Sequence, residues 1–152
     1  MTVYLYAMPA GFPGNVTRRA ESTLEPVLLA TETPHGAPLT LDTEGKAVPT
    51  TEADEVSAWL VRPYPTTGVG SDGNSAPAGT IQDRLLRGYI SVRLSAAETQ
   101  TAVKGAPVCL IAEAGNGFAV GDLAVSAGDP IPGAVFMGPQ DSDGNAEIAF
   151  NL

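Results

Sequence analysis

A chain of 152 residues with 43% hydrophobic side chains is long enough for one domain with a substantial core, and 16% charged residues exclude a disordered acidic segment. The net charge of −9 is spread over both halves, with 9 acids against 4 bases in residues 1–76 and 8 against 4 in residues 77–152. Such a field repels phosphate backbones, which argues against direct nucleic-acid binding, and no apolar run approaches the ~18 residues that would cross a membrane.

The chain begins MTVYLYAMPAGFPGNVTRRA, apolar at first and then broken at Pro9, Gly11, Pro13 and Gly14. It lacks a basic leader and an uninterrupted apolar stretch, so no secretory signal is expected. Residues 2–7 suit an extended edge segment, and the Phe12-Pro13-Gly14-Asn15 corner favours a turn. Residues 1–20 therefore read as an N-terminal arm carrying Phe12, Arg18 and Arg19. Either it folds over its own core or it docks on a neighbour. Residues 21–152 read as a single β domain, and in residues 21–36 Pro26, Pro34 and Gly36 leave no room for a proper helix.

Residues 37–41 and 46–48 form a predicted hairpin around the tight turn Asp42-Thr-Glu-Gly45. Residues 50–55 make a polar loop or a single helical turn. In SAWLVRPY, residues 57–64, Trp59 and Val61 face one way and Leu60, Arg62 and Tyr64 the other, with Pro63 ending the strand or placing it at an edge. Trp59 belongs to the core. Residues 66–80 form a long loop, suited to a surface or partner-binding excursion. Its glycines lack the lysine and the strand–loop–helix setting of a phosphate-binding loop.

The clearest strand signal is LRGYISVRL, residues 86–94. Leu86, Gly88, Ile90, Val92 and Leu94 form one row, and Arg87, Tyr89, Ser91 and Arg93 the other. Two arginines and a tyrosine facing outward in an acidic chain are residue types enriched at protein interfaces. Ser95, with Glu98 three residues on, has capping-box spacing and predicts one or two helical turns within residues 95–103. Residues 105–113, 118–126, 131–137 and 146–152 then read as four more strands. In the last, Ala146, Ile148, Phe150 and Leu152 alternate against Glu147, Ala149 and Asn151. The 17 glycines and 13 prolines have no strict period and read as turns between short strands.

The result is an all-β expectation: a compact β-barrel or jelly-roll-like β-sandwich of seven or eight short strands with an extended N-terminal arm. Chemistry is sparse. Cys109 is the single cysteine, set in PVCLI like a small buried hydrophobe, so no internal disulfide and no cysteine-based zinc site is expected. The chain is expected to fold in a reducing compartment. His35, the only histidine, sits in a probable turn, and no catalytic residue, cofactor or catalytic partnership is expected. Carboxylates such as Asp72, Asp129 and Asp141 lie mostly in Gly-rich turns that use Asp for backbone hydrogen bonds. Asp141, Asp143 and Asn145 alternate like calcium ligands, but Gly144 and Leu152 stand where an EF-hand needs other residues, and a hairpin turn is the better reading.

Five stretches in order and spacing carry a resemblance: AGFPGNVTR at 10–18, GAPLTLDTEGKAV at 36–48, WLVRPYP at 59–65, LRGY at 86–89, and GAVF at 133–136 with DGNAEIAFNL at 143–152. Together they resemble the structural cement, or capsid decoration, proteins of tailed bacteriophages, over nearly the whole chain. The loop at 66–80 is longer than that pattern leads one to expect. The resemblance implies a non-enzymatic protein, made in the host cytoplasm, that binds the outside of the icosahedral head between major capsid protein subunits, as a homodimer or homotrimer. It brings no binding residues with it. The interface candidates read from the residues themselves, toward the capsid or toward another copy, are Phe12, Arg18, Arg19, Arg62, Tyr64, Arg87, Tyr89 and Arg93. Two other classes stay open at this point. One is a carbohydrate- or receptor-binding β-module on the virion, using Trp59 and tyrosines; the other is a small β-barrel enzyme, disfavoured by the single histidine.

Overall fold

Two short motifs of the same chemistry set two of the main hairpins. In the computed structural model, which describes residues 11–63 and 73–152, Asp42 Oδ1 accepts the N–H groups of Glu44 and Lys46, both at 2.9 Å. Asp141 Oδ1 accepts those of Asp143 and Asn145, also at 2.9 Å. The fourth residue of each turn is a glycine at positive φ, Gly45 at +78° and Gly144 at +81°. An aspartate that mimics a backbone acceptor and a glycine free to turn left-handed close a hairpin without help from the core. The Asp141 segment is thus the hairpin turn its sequence suggests.

The described residues form eleven strands: β1 (Thr23–Leu28), β2 (Thr33–Pro34), β3 (Pro38–Leu41), β4 (Ala47–Pro49), β5 (Ala58–Leu60), β6 (Ser75–Ala76), β7 (Ile81–Arg93), β8 (Pro107–Leu110), β9 (Leu123–Ala124), β10 (Asp129–Phe136) and β11 (Asn145–Phe150). The only helical pieces among them are single 3-10 turns at Arg19–Glu21 and Ala53–Glu55. Eight strands run in the order β4-β3-β5-β7-β11-β10-β8-β9 in one antiparallel sheet curled into a half-barrel, with β1 also on β7. The all-β expectation holds. Strands β2 and β6 form a separate pair, so residues 75–76 of the expected 66–80 loop are strand, followed by a turn over 77–80.

Strand β7 is the spine. Its first part pairs with β1 and β5, its last part with β11. Between them the register with β1 jumps from Thr23↔Arg87 to Leu24↔Leu85, leaving Leu86 as the extra residue of a bulge. The bulge reverses the side-chain phase. Leu85, Ile90 and Val92 all enter the main core, whereas Leu86 packs against a second cluster. Leu86 therefore leaves the row expected for it, although Ile90, Val92 and Leu94 keep theirs.

Trp59 and Val61 enter the main core and Leu60 the second cluster, as their alternation requires. Strand β5 is buried on both faces, which is why it reads as a nearly continuous apolar run. Trp59 is fully buried and meets Phe150 edge-on, with ring centroids 6.0 Å apart.

Residues 23–28 form a strand, in keeping with the exclusion of a helix there, and Pro26 is tolerated because an edge strand can lack a donor. Three expectations need correction. Ser95 and Glu98 do not cap a helix: Glu98 instead accepts the Val125 and Ser126 N–H groups at 2.7 and 3.0 Å, holding a turn to a distant loop. Leu152 lies outside β11 and is 62% exposed, since the alternation ends with the strand at Phe150. Nor are the described prolines mainly turn residues: of the 11 among the described residues, seven, namely Pro26, Pro34, Pro38, Pro49, Pro107, Pro130 and Pro132, lie within strands.

Candidate interaction surface

The outward row expected for β7 is Arg87, Tyr89, Ser91 and Arg93, and the N-terminal segment pairs along the strand at its middle. Gly14 N–H donates to the Ser91 carbonyl at 2.8 Å, Ser91 N–H donates to the Asn15 carbonyl at 2.9 Å, and Thr17 N–H donates to the Tyr89 carbonyl at 3.2 Å. Residues 14–17 thus lie along β7 like a short added strand, and Ser91 has no exposure. Gly14 also accepts from Arg62 N–H at 2.8 Å, tying this segment to the end of β5. The Phe12–Asn15 turn forms as its sequence suggests, closed by Asn15 N–H to the Phe12 carbonyl at 3.1 Å. The candidates now fall into two groups, on either side of buried Ser91.

In the first group, the Arg18 guanidinium lies 4.2 Å from the centroid of the Tyr89 ring and pairs with Glu147 at 2.8 Å. A planar cation held both by a ring face and by a carboxylate has little rotamer freedom left. Arg87 and Tyr89 line a recess of about 410 Å³ with residues 20–23 and Leu152. Arg19 and Arg87 are exposed, and among the described residues neither forms an ion pair. Glu21 also lines this recess, so its side chains carry one charge of each sign. Glu147 was not singled out in the sequence, although the alternation of the last strand already turned it away from the core.

In the second group, Phe12 is 67% exposed and stands over Arg62, whose guanidinium carbon is 5.6 Å from the ring centroid. Arg62 is itself fixed: Nε donates to the Pro13 carbonyl at 3.0 Å and Nη2 to Asn74 Oδ1 at 3.1 Å. Partial burial draws its pKa below the ordinary value, yet a guanidinium stays charged. Beside Phe12 lies a recess of about 380 Å³ whose lining includes Arg93, Asp141, Asp143 and Asn145. Tyr64 and Asp72 lie outside the described residues.

A further recess, about 870 Å³, gathers His35, Ser95, Glu98, Asp122 and Asp141. Its carboxylates are fasteners. Desolvation pushes Glu98 upward, but hydrogen bonds from Gln100, Ser126 and Val125 outweigh it and hold the group below its ordinary value. Asp122 Oδ2 accepts the Ser95 hydroxyl at 2.6 Å and Ala119 N–H at 2.9 Å. A general base needs the opposite tuning, toward neutrality. Among the described residues no three of His, Cys, Asp and Glu are grouped to hold a metal ion, and one oxygen of Asp141 is committed to its turn.

The family model for structural cement protein (E217 gp24/Pam3 gp6) matches residues 1–151. The chain belongs to the phage structural cement family. A solved structure, "The capsid of Myoviridae Phage XM1", contains a chain similar to this cement-family protein, with a TM-score of 0.69 and 13% identity, covering 97% of this chain and 94% of that one. At that identity the likeness is one of fold. No curated protein matches the sequence. The family is one of structural proteins, and the cement fold here presents exposed side-chain surfaces while prolines punctuate its strands.

Proposed function

We propose that this protein is a capsid decoration protein of a tailed phage, binding the outer surface of the major capsid protein shell and stabilising the head without catalysis. The observation that carries this reading is the family match across residues 1–151. The Arg18–Tyr89–Glu147 cluster, with Arg19 and Arg87 beside it, supplies the shell-facing contact: rigid aromatic and guanidinium groups that meet carboxylates and carbonyls of the shell. Each copy binds modestly, and repetition over a lattice makes the sum strong. The mechanism is mechanical, because interface added across a seam raises the cost of separating capsid subunits. Trp59 is fully buried and cannot serve the glycan-binding alternative.

The test is co-sedimentation of purified protein with heads lacking it, alongside a control decoration protein, followed by thermal disruption of the decorated heads. Saturable binding and a higher disruption temperature are expected. Failure to bind while the control binds would overturn the reading.

A further inference from the structure

We infer that the Asp141 turn binds a calcium ion on the oxygens of Asp141, Asp143 and Asn145, a site independent of how the protein meets the capsid. Asn145 carries the inference. Its side chain is 5% exposed, and among the described residues its Oδ1 accepts no hydrogen bond. A carbonyl oxygen shut away from water without a donor is costly, and a bound water or ion is the usual reason that a native protein keeps one.

Strand alternation shows where that oxygen looks. Ala146 and Ile148 enter the main core, so Asn145 turns to the opposite face, beside its cross-strand partner Arg93. That face opens into the recess of about 380 Å³, which Asn145 lines together with Asp141 and Asp143. The hairpin turn leaves oxygens to spare. It consumes Asp141 Oδ1, which accepts the Asp143 and Asn145 N–H groups at 2.9 Å each. Asp141 Oδ2 and both side-chain oxygens of Asp143 accept no hydrogen bond among the described residues.

A water could satisfy Asn145, but it would leave two neighbouring carboxylates uncompensated; a cation answers all three groups at once. The third donor is an amide, which sets this cluster apart from the groups of three His, Cys, Asp or Glu that the described residues lack. Carboxylate and carbonyl oxygens suit calcium, magnesium or manganese rather than softer metals. Calcium fits best, because it takes an irregular set of oxygens completed by water, whereas magnesium demands a near-octahedral one. Two features keep the site weak. No bidentate glutamate closes it, since Glu147 is engaged with Arg18, and Arg93 on the same recess sets a positive charge against the ion. The expected dissociation constant is about 0.1–1 mM.

The experiment is calcium titration of the free full chain, stripped of metal by a chelator and read by calorimetry and by melting temperature. Sodium chloride at matched ionic strength is the control. One saturable site and a melting temperature that rises with calcium are expected, with magnesium binding more weakly. Asp143→Asn should weaken binding about tenfold and leave the calcium-free melt unchanged, because the exposed Asp143 side chain holds nothing in the turn. Asn145→Ala should abolish binding. Arg93→Gln should tighten it several-fold by removing a like charge, a gain that no misfolded variant produces. No saturable binding by about 10 mM calcium, a melting shift that sodium chloride reproduces, magnesium binding as tight as calcium, unchanged binding in Asp143→Asn or Asn145→Ala, or no gain in Arg93→Gln each overturns the inference. The titration uses free protein, so its failure and failure of the capsid reading give different results.

Discussion

Gly88 is where a single methyl group should be most costly. Its φ is +129°, and a Cβ built there would lie 2.2 Å from Ser22 Oγ and 2.7 Å from Ser22 Cα. The serine hydroxyl could swing away, but the Cα is backbone, so Gly88→Ala must shift the start of β1 against β7. Backbone strain contributes about 1–3 kcal/mol and overpacking about 1–3 kcal/mol more. The sum of about 2–6 kcal/mol corresponds to a melting temperature lower by roughly 4–24 °C for a chain of this length. Gly45→Ala is the control, since Gly45 has φ +78° and nothing within 4 Å of a built Cβ; it should lose only about 1–2 kcal/mol. Circular dichroism melts and urea titrations give both values. Adding Ser22→Gly to Gly88→Ala should recover part of the loss, measured as a coupling in a double-mutant cycle. The bulge argument fails if Gly88→Ala is no worse than Gly45→Ala, or if the coupling is zero.

Other outcomes follow from the same geometry. Asp42→Ala and Asp141→Ala should each cost about 1 kcal/mol, because each removes one oxygen accepting two backbone N–H groups; equal losses in urea melts would verify the shared turn chemistry. Glu98→Gln should destabilise the fold near neutral pH. Because the folded-state pKa of Glu98 is lowered, its contribution is full above the unfolded carboxylate pKa and disappears as pH falls through the folded value. The gap between wild type and variant should therefore close in acid, and a gap constant with pH would refute the ionic clamp. Cys109 is buried, and its pKa is raised by desolvation and then by the charges of Asp129 and Glu98. A disulfide reagent at neutral pH should react with it slowly in the native protein and quickly in urea; fast native reaction would contradict the burial.

Read from the residues alone, the chain already declared its class and its core. Period-two alternation placed Ile90, Val92, Trp59 and Ile148 inside, and Asp-x-x-Gly chemistry marked two hairpins, because these signals act over a few neighbouring residues. The spaced motifs also carried the family. Long-range geometry decided the rest. The bulge at Leu86 arises in the pairing of β7 with β1, a strand about sixty residues away in sequence, so no local period could reveal that Leu86 changes face. Glu98 carried the local spacing of a helix cap, and a tertiary partner at Ser126 claimed its carboxylate instead. Likewise, Arg87, Tyr89, Ser91 and Arg93 form one row in sequence, and only the tertiary structure buries Ser91 and so separates the others into two surfaces. Local chemistry specifies which way a side chain points along its own strand; what then covers it depends on which distant segment finds its backbone partners there.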